Sequence, residues 1–401
     1  MRSAAARGPI ACFAALGIFW GAWAALIPDI KRQAGASDGE LGAAMLVSGV
    51  GAILAMLIVG RLWRRFGWSL LPVTGLLFAV GGLGLPVASS TLTLAGALFV
   101  IGAGSGALDV AMNAAVSDVE ARDGVRLMYG AHALFSLAVL VASVATGLAR
   151  QAGAGPWPIL GTVAVLIALV ALATIASARG RHRPIAQAPT TSSSPTLNGP
   201  GAVMGGLAAL AILCAVGYLI EDAAQNWSAL HLERGLGASP ALGGAAPGIF
   251  AAAMFAGRSS GQRLGARFSE RALFSTGATL AAVGLAGLAI APTPVWALGG
   301  LAVAGAGIAV VAPALYGRAG RAATAATRGA AIARLTVFGY TGFIVGPALI
   351  GFISQAASLR AGIATLAVLA VGLAVGGFLV LRGRPVASFE EGEELLNSGR
   401  A

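Results

Sequence analysis

Charged residues are scarce in this sequence. Asp, Glu, Lys and Arg make up 10% of its 401 residues, whereas hydrophobic residues make up 57%. Ordinary soluble domains carry roughly 25% charged residues. A chain with so little charge must present most of its surface to lipid, so the composition excludes the usual soluble classes and predicts an integral membrane protein.

Reactive and metal-binding residues are also scarce. The two cysteines, Cys12 and Cys214, lie inside separate apolar runs, and there are three histidines. This set is too small and too scattered for a disulfide framework or a zinc site. The sequence has no glycine-rich phosphate loop and no set of nucleophile, base and acid. We therefore expect neither an enzyme nor an ATP-driven pump, and no cofactor or metal.

Apolar runs fill most of the chain. A membrane-spanning helix needs about 20 mostly apolar residues, and twelve such runs lie between residues 9 and 381. The first run, 9–29, is longer than the apolar core of a signal peptide, so we interpret it as a retained first span. The tenth lies at 295–317. The pattern predicts an all-α integral membrane protein with twelve transmembrane helices.

A polar stretch near the middle, "ASARGRHRPIAQAPTTSSSPTLNG", divides these spans six and six. Its Ser, Thr and Pro content is typical of a flexible linker. We predict an N-terminal six-helix bundle over 1–178, a cytoplasmic linker over 179–202, a C-terminal six-helix bundle over 203–384 and a cytoplasmic acidic tail over 385–401.

The two predicted halves resemble each other in sequence. "GAS" at 35–37 and "GAA" at 42–44 recur as "GAS" at 237–239 and "GAA" at 244–246. Further along, a pair of glycines in the fourth span matches a pair in the tenth: Gly104 and Gly106 match Gly305 and Gly307. Such repeats predict two bundles related by pseudo-two-fold symmetry, an architecture typical of transporters whose site lies between the halves.

The basic residues indicate how the chain is oriented. The formal net charge is +11, but the basic residues form short clusters between apolar runs, so we expect no nucleic-acid partner. With the N-terminus in the cytoplasm, all but five of the 26 Lys and Arg residues fall on the cytoplasmic side, the exceptions being Lys31, Arg32, Arg150, Arg234 and Arg360. The positive-inside rule therefore predicts cytoplasmic termini. Arginine outnumbers lysine 25 to 1, as is typical of a GC-rich bacterial genome, so we expect the inner membrane of a bacterium.

"GRLWRRFG", residues 60–67, follows the second span. It resembles the signature loop of the major facilitator superfamily, Gly-x-Leu-x-Asp-Arg-x-Gly, with Arg64 in place of the Asp. In that family the Asp helps to lock the cytoplasmic ends of the two halves together, partly by facing a helix N-terminus. The resemblance implies the major facilitator fold and a gating role for Gly60, Arg64, Arg65 and Gly67, with a closing contact that is either made differently or weaker than the usual one.

Four further segments resemble the MosC-like and YbjJ-like branch of that superfamily: "WAALIPDIK" (23–31), "GALDVAMNAAVSDVE" (106–120), "MYGAHALFS" (128–136) and "EDAAQNWSALHL" (221–232). One member of the branch is associated with transport of an inositol-derived amine. The resemblance implies a small polar, polyol-like solute.

Asp109 lies inside the fourth span. An acid that faces lipid is costly, so Asp109 must face the bundle interior, a partner or a water-filled cavity. In this superfamily the fourth span lines the central cavity. Two interpretations are open: a proton carrier, since protonation would remove a buried charge, or a structural hydrogen bond with Asn113, one turn away.

The seventh span carries a polar strip. Helical spacing puts Glu221 and Gln225 on one face, with Asp222 and Asn226 alongside and Trp227 next. The strip either binds a solute or protons, with the indole stacking on a sugar face or a cation, or it marks an outer helix end with Trp227 at the membrane interface.

Each remaining candidate residue has both a functional and a structural interpretation. His132 either titrates near neutral pH or makes a structural hydrogen bond. Arg334 either pairs with an anionic group or extends to the cytoplasmic surface. Trp20, Trp23 and Tyr340 either line the cavity or face lipid.

We therefore expect a monomeric secondary transporter that moves a small hydrophilic solute by alternating access and couples to protons through Asp109, Glu221, Asp222 and His132. Two alternatives are a proton-driven exporter of drugs or metabolites and a non-transporting membrane sensor or scaffold. The fifth span lacks the Gly-Pro pair common in such exporters. A sensor would not require acids in cavity-lining spans.

Overall fold

The structure, a computed structural model, describes residues 6–125, 127–178, 201–265, 267–323 and 328–382. These residues form thirteen α-helices: α1 (Arg7–Gln33), α2 (Asp38–Phe66), α3 (Leu70–Gly82), α4 (Thr91–Asp123), α5 (Met128–Gln151), α6 (Pro156–Ala178), α7 (Gly201–Leu230), α8 (Pro240–Gly265), α9 (Glu270–Ala289), α10 (Pro294–Ile308), α11 (Val311–Ala322), α12 (Arg328–Ala356) and α13 (Leu359–Val380). Most of the predicted linker and all of the predicted tail lie outside the described residues.

Helices suit this sequence because lipid cannot form hydrogen bonds with backbone N–H and C=O groups. An α-helix pairs these groups with each other. Eleven segments are long and apolar enough to cross a membrane, and one of them, Asp38–Val87, contains both α2 and α3. The described ranges thus provide twelve crossings. The prediction of twelve transmembrane helices is confirmed.

The tenth crossing, predicted over 295–317, is found at Pro294–Ala322 and consists of two helices. Helix α10 ends at Ile308 and α11 begins at Val311. Pro313 explains the break, because it has no N–H to bond the carbonyl of Ala309 and its ring clashes with that carbonyl. The proline is tolerated in the first turn of a new helix.

Each half repeats one pattern of helix pairing. In the N-terminal half α1 packs on α5, α2 on α4, and α3 on α6; in the C-terminal half α7 packs on α12, α8 on α10, and α9 on α13. The turns before α2 and α8 match in detail, since Gly35 and Gly237 have φ angles of 61° and 65°. Only glycine adopts this left-handed conformation readily. The pseudo-two-fold arrangement of two six-helix bundles follows.

The structure corrects the register of one sequence repeat. A Cβ atom on Gly102 would strike the Ser48 carbonyl in α2, and one on Gly305 would lie 2.6 Å from the Phe250 oxygen in α8. Gly102 therefore corresponds to Gly305, and by the same reasoning Gly104, which packs on α3, corresponds to Gly307, which packs on α9. The sequence match of Gly104 with Gly305 was shifted because glycines recur every second residue in both helices.

The two halves meet most closely at one end, called here the closed end, which carries the turns at 34–37, 83–90, 152–155, 236–239, 290–293 and 357–358. There α2 packs on α12, and α5 packs on α8. A Cβ atom on Gly244 of α8 would lie 2.5 Å from the Gly147 Cα of α5, and one on Gly42 of α2 would lie 3.0 Å from the Ala348 Cα of α12. Glycine is what allows these backbones to touch.

The contact between Gly147 and Gly244 makes the closed end sensitive to a single methyl group. We expect Gly244→Ala to shift the halves apart there, because overpacking of this kind costs about 1–3 kcal/mol. The measurement is the distance between spin labels on Ala152→Cys and Ala357→Cys, exposed turn residues on the two halves, with Cys12 and Cys214 replaced by alanine. This labelled pair is called the closed-end probe.

Gly161→Ala is the matched control, since a Cβ atom on Gly161 of α6 would meet nothing within 4 Å. It should leave the distance distribution unchanged. An unchanged distribution for Gly244→Ala as well would contradict the assigned contact.

Candidate functional site

A cavity of about 420 Å³ lies between the two halves, enclosed by α1, α2, α4 and α5 on one side and by α7, α8 and α12 on the other. The closed end covers one side of it. Toward the opposite end the lining includes His132 and Arg258, which are both exposed. The cavity therefore opens away from the closed end.

Eight of the sequence-predicted residues line this cavity: Trp20, Trp23, Asp109, His132, Glu221, Asp222, Asn226 and Tyr340. They come from α1, α4, α5, α7 and α12, so the fold brings together residues that are far apart in sequence. The other predicted residues do not line it: Asn113, Gln225, Trp227, Arg334, Gly60, Arg64, Arg65 and Gly67.

Asp109 lines the cavity and follows glycines at 102, 104 and 106, where α4 packs closely on α2 and α3. Its carboxylate is half-buried and accepts a hydrogen bond of 3.0 Å from Asn113 Nδ2, which also bonds the Asp109 carbonyl oxygen at 2.8 Å. Both predicted features are thus present in the structure: an acid that lines a cavity, and a hydrogen bond to Asn113. One does not exclude the other.

Asp222 is held in the same way on α7. Asn226 Nδ2 donates to Asp222 Oδ1 at 2.9 Å and to the Asp222 carbonyl oxygen at 3.0 Å. The amide oxygen of Asn226 accepts a hydrogen bond of 3.1 Å from Trp23 Nε1 on α1. A continuous chain of hydrogen bonds therefore runs from the N-terminal half to the acid of the C-terminal half.

Glu221 lies next to Asp222 and has a cationic partner. Arg258 Nη2 of α8 contacts both carboxylate oxygens, at 3.1 and 3.3 Å. Sequence reasoning did not single out Arg258, because it lies near the end of an apolar helix where arginines commonly meet the membrane surface. Among the charged side chains that line the cavity, Glu221 is thus paired with a cation.

Aromatic rings cover much of the remaining wall. Tyr218 stacks on Phe343 with ring centroids 4.4 Å apart, and Tyr340 meets Phe343 edge-on. Across the cavity, the His132 ring lies edge-on to Phe13 with centroids 5.0 Å apart. A wall of ring faces beside carboxylates and amides suits a solute with both polar groups and a flat apolar face.

Trp227 turns away from the cavity. Its side chain is 0% exposed, and its Nε1 donates to the Pro347 carbonyl oxygen at 3.2 Å. The bond joins α7 to α12 within the C-terminal half, so the structure places the indole in a helix contact. Gln225 also lies off the cavity, and Arg334 is half-buried near the start of α12.

The signature loop lies at the end opposite the closed end. Gly67 ends α2 with a φ of 50°, and Arg64 and Arg65 are exposed. The next residue, Trp68, is fully buried and donates from Nε1 to Asp118 Oδ2 of α4 at 3.1 Å. The loop is thus anchored to its own half by Trp68.

An ion-pair network seals the closed end, and Arg150 lies at its centre. The Arg150 side chain is 2% exposed. Its guanidinium contacts Asp29 at 2.6 and 2.9 Å, Glu233 of the other half at 2.6 and 2.9 Å, and the Ala25 carbonyl oxygen at 2.8 Å. All five of its N–H donors have partners, so the buried charge is fully compensated.

A second group of charges adjoins it. Arg234 Nη1, in the turn that follows α7, donates to Asp38 Oδ1 of α2 at 2.7 Å, and Lys31 Nζ lies 3.1 Å from the same oxygen. Glu233 and Arg234 are consecutive residues in a π-helical turn, His231–Gly235. This one turn of the C-terminal half therefore forms ion pairs with two residues of the N-terminal half, Arg150 and Asp38. The six residues form the closed-end network: Asp29, Lys31, Asp38, Arg150, Glu233 and Arg234.

Sequence reasoning missed this network, although its signal was present. Lys31, Arg150 and Arg234 are exceptions to the positive-inside rule, and two of them lie within two residues of an acid, Lys31 near Asp29 and Arg234 next to Glu233. A basic residue on the non-cytoplasmic side of a membrane calls for a structural explanation. Here the reason is an acidic partner.

The chain is similar to known proteins along most of its length. A family model described as the Major Facilitator Superfamily matches residues 210–399. An uncharacterized MFS-type transporter of Yersinia pestis is 32% identical over 372 residues, covering 91% of this chain and 93% of that protein. The membrane protein MosC of Rhizobium meliloti is 28% identical over 367 residues, covering 90% of this chain and 85% of that protein.

Solved structures share the fold. A bacterial homolog of the human lysosomal transporter Spinster, in an inward-facing and unoccupied conformation, matches with a TM-score of 0.76 at 16% identity, covering 95% of this chain and 97% of that one. The nucleoside transporter NupG matches with a TM-score of 0.74 at 13% identity, covering 95% and 100% of the two chains. From the 32% identity over nearly the whole chain and the shared fold, we conclude that this protein belongs to the major facilitator superfamily of membrane transporters, in the branch that contains MosC.

Proposed function

We propose that the protein is a proton-coupled secondary transporter that carries a small hydrophilic solute by alternating access. The observation that carries this proposal is the cavity between the halves, which holds Asp109 and Asp222 and is sealed at one end by the closed-end network. In this architecture the halves rock about the central site and expose it to alternate sides.

The cavity chemistry favours a polar solute. Carboxylates and amides bind hydroxyl or amine groups, and the rings of Trp20, Tyr218 and Tyr340 pack on a flat solute face. The wall is otherwise largely apolar, so the acids and amides are the groups that favour a hydrophilic solute over a drug-like export. The cavity is complete within one chain, so we propose that the monomer is the transporting unit.

The orientation follows from the charges. With cytoplasmic termini, as the basic residues favour, the closed end faces the periplasm and the cavity opens to the cytoplasm. We place the protein in a bacterial inner membrane, with the two bundles over 1–178 and 203–384 acting as the moving halves.

Proton coupling is assigned to acids in the cavity. Protonation of Asp109 or Asp222 removes a charge from a low-dielectric site, which changes the cost of closing the cavity around it. A solute that enters with the proton then moves with it. Glu221 is already neutralised by Arg258, so we assign it a role in shaping the site.

The acids can be tested in proteoliposomes with an imposed proton gradient and a screen of labelled polyols, sugars and amino-sugars. Asp109→Asn and Asp222→Asn are expected to reduce gradient-driven accumulation about tenfold, within the roughly 5- to 150-fold range of coupling between two sites. Exchange of labelled for unlabelled solute without a gradient should persist, because the amides keep the shape of the site.

Glu270→Gln is the control, since Glu270 pairs with Arg321 outside the cavity. Its accumulation should stay within about twofold of wild type, as is usual for a surface ion pair. If the solute flux is the same with and without the gradient, and is unchanged by the two aspartate substitutions, then transport is not coupled to protons.

The closed-end network generates a second test of alternating access. Arg150→Gln leaves Glu233 without its cation and Asp29 with only the exposed Arg32, and removal of one partner of a buried ion pair costs about 3–5 kcal/mol. We expect the closed-end probe to report separated halves in this variant, with the population shifted more than about tenfold.

Arg32→Gln provides the comparison, because Arg32 also pairs with Asp29 but is 73% exposed. Exposed pairs contribute about 0–1 kcal/mol, so this variant should resemble wild type. Equal behaviour of Arg150→Gln and Arg32→Gln would show that the network does not hold this end shut.

A further inference from the structure

The cavity contains the same local device twice. In α4 the sequence "DVAMN" places Asn113 one turn after Asp109, and in α7 the sequence "DAAQN" places Asn226 one turn after Asp222. In both cases the amide nitrogen bonds the carboxylate at 2.9–3.0 Å and the carbonyl oxygen of the aspartate at 2.8–3.0 Å. The two acids therefore have matched immediate partners.

The two devices differ in their second contact. Both hydrogen bonds of Asn113 go to Asp109 on its own helix, and Asn113 does not line the cavity. Asn226 lines the cavity, is 9% exposed, and its oxygen receives the indole N–H of Trp23 from the other half. One acid is thus connected across the interface, whereas the other is held locally.

The indole contact fixes which way the Asn226 amide points. Indole Nε1 is a donor only, so it selects the amide oxygen and directs the amide nitrogen toward Asp222. In that orientation the amide donates to a carboxylate and stabilises its charged form. An amide freed from Trp23 can rotate and present its oxygen to a protonated Asp222 instead.

We propose that Trp23 is a positioning residue that couples the protonation of Asp222 to the contact between the halves. This inference rests on the proposed function, and it names Asp222, rather than Asp109, as the acid through which protons control the closed end. When Asp222 takes a proton from cavity water, Asn226 loses its charged acceptor and its hold on Trp23 weakens. By linkage, parting of the halves breaks the bond to Trp23 and favours the protonated acid.

Other charged or titratable groups also face this cavity, and a test must separate them from Asp222. They are Glu221 and Tyr218 on α7, Arg258 on α8, Asp109 on α4, His132 on α5 and Tyr340 on α12. None of them has a hydrogen bond to the Trp23 indole in the described part of the chain. A response that depends on both Trp23 and Asp222 therefore identifies the chain of bonds.

The experiment measures the closed-end probe between pH 5 and pH 8 in reconstituted protein without solute. In wild type, the ratio of separated to sealed halves should rise about tenfold at the lower pH, as expected for one hydrogen bond to a charged group. Trp23→Phe, which removes the indole donor and keeps an aromatic ring, should reduce this pH response to about twofold. Asp222→Asn should do the same.

The double variant decides the mechanism. If the proton acts through Trp23, then Asp222→Asn adds no further change in a Trp23→Phe background, since the two substitutions break one chain of bonds. Asn226→Ala removes the same link and is measured in case Trp23→Phe does not fold. Trp227→Phe is the matched control, because it removes a buried indole bond within one half and should retain the pH response.

The possible outcomes are distinct. If Trp23→Phe separates the halves by the same factor at every pH and keeps the pH response, Trp23 is only a packing contact and the inference is overturned. If wild type and Asp222→Asn both lack a pH response, while the liposome assay also lacks gradient-driven accumulation, the failure lies in the proposed proton coupling itself.

Discussion

The compensation of charge buried between the two halves is the constraint on which the sealed structure depends. Arg150 has all five donors engaged by Asp29, Glu233 and a backbone oxygen, and the two acids come from different halves. Such a pair is stable only while both sides are in place, because an uncompensated charge is costly in a low-dielectric interior. The halves are therefore either joined with every charge matched or separated with every charge in water.

Close backbone contact also disfavours states between the joined and the separated halves. Where Gly147 meets Gly244, the helices touch without side chains between them, so a slight separation loses the packing at once. The hydrogen bond from Trp23 to Asn226 lies deeper, on the wall of the cavity. The same interface thus combines a seal at its end with a connection to a candidate proton carrier, and both are broken by one motion.

The sequence is sufficient to predict the number of crossings, the two bundles and the acids of the cavity, since length, hydropathy and the cost of intramembrane charge act locally. It is not sufficient where the answer depends on which helix faces which. Trp227 and Asn226 are neighbours in sequence, yet one packs into α12 and the other lines the cavity. The partners of Arg258 and Arg150 are evident only from the three-dimensional structure. The division of the tenth crossing before Pro313 leaves no mark in the hydropathy.

The composition of the closed-end network has an electrical consequence. Its three acids, Asp29, Asp38 and Glu233, balance its three bases, Lys31, Arg150 and Arg234. Arg32, which also pairs with Asp29, lies outside this set because its side chain is 73% exposed to water. A set of formal charges that sums to zero gains little energy from a transmembrane voltage when it moves as a whole. Membrane potential should therefore act on this protein mainly through whatever charge the cavity itself carries, leaving the seal nearly indifferent to the voltage of the cell.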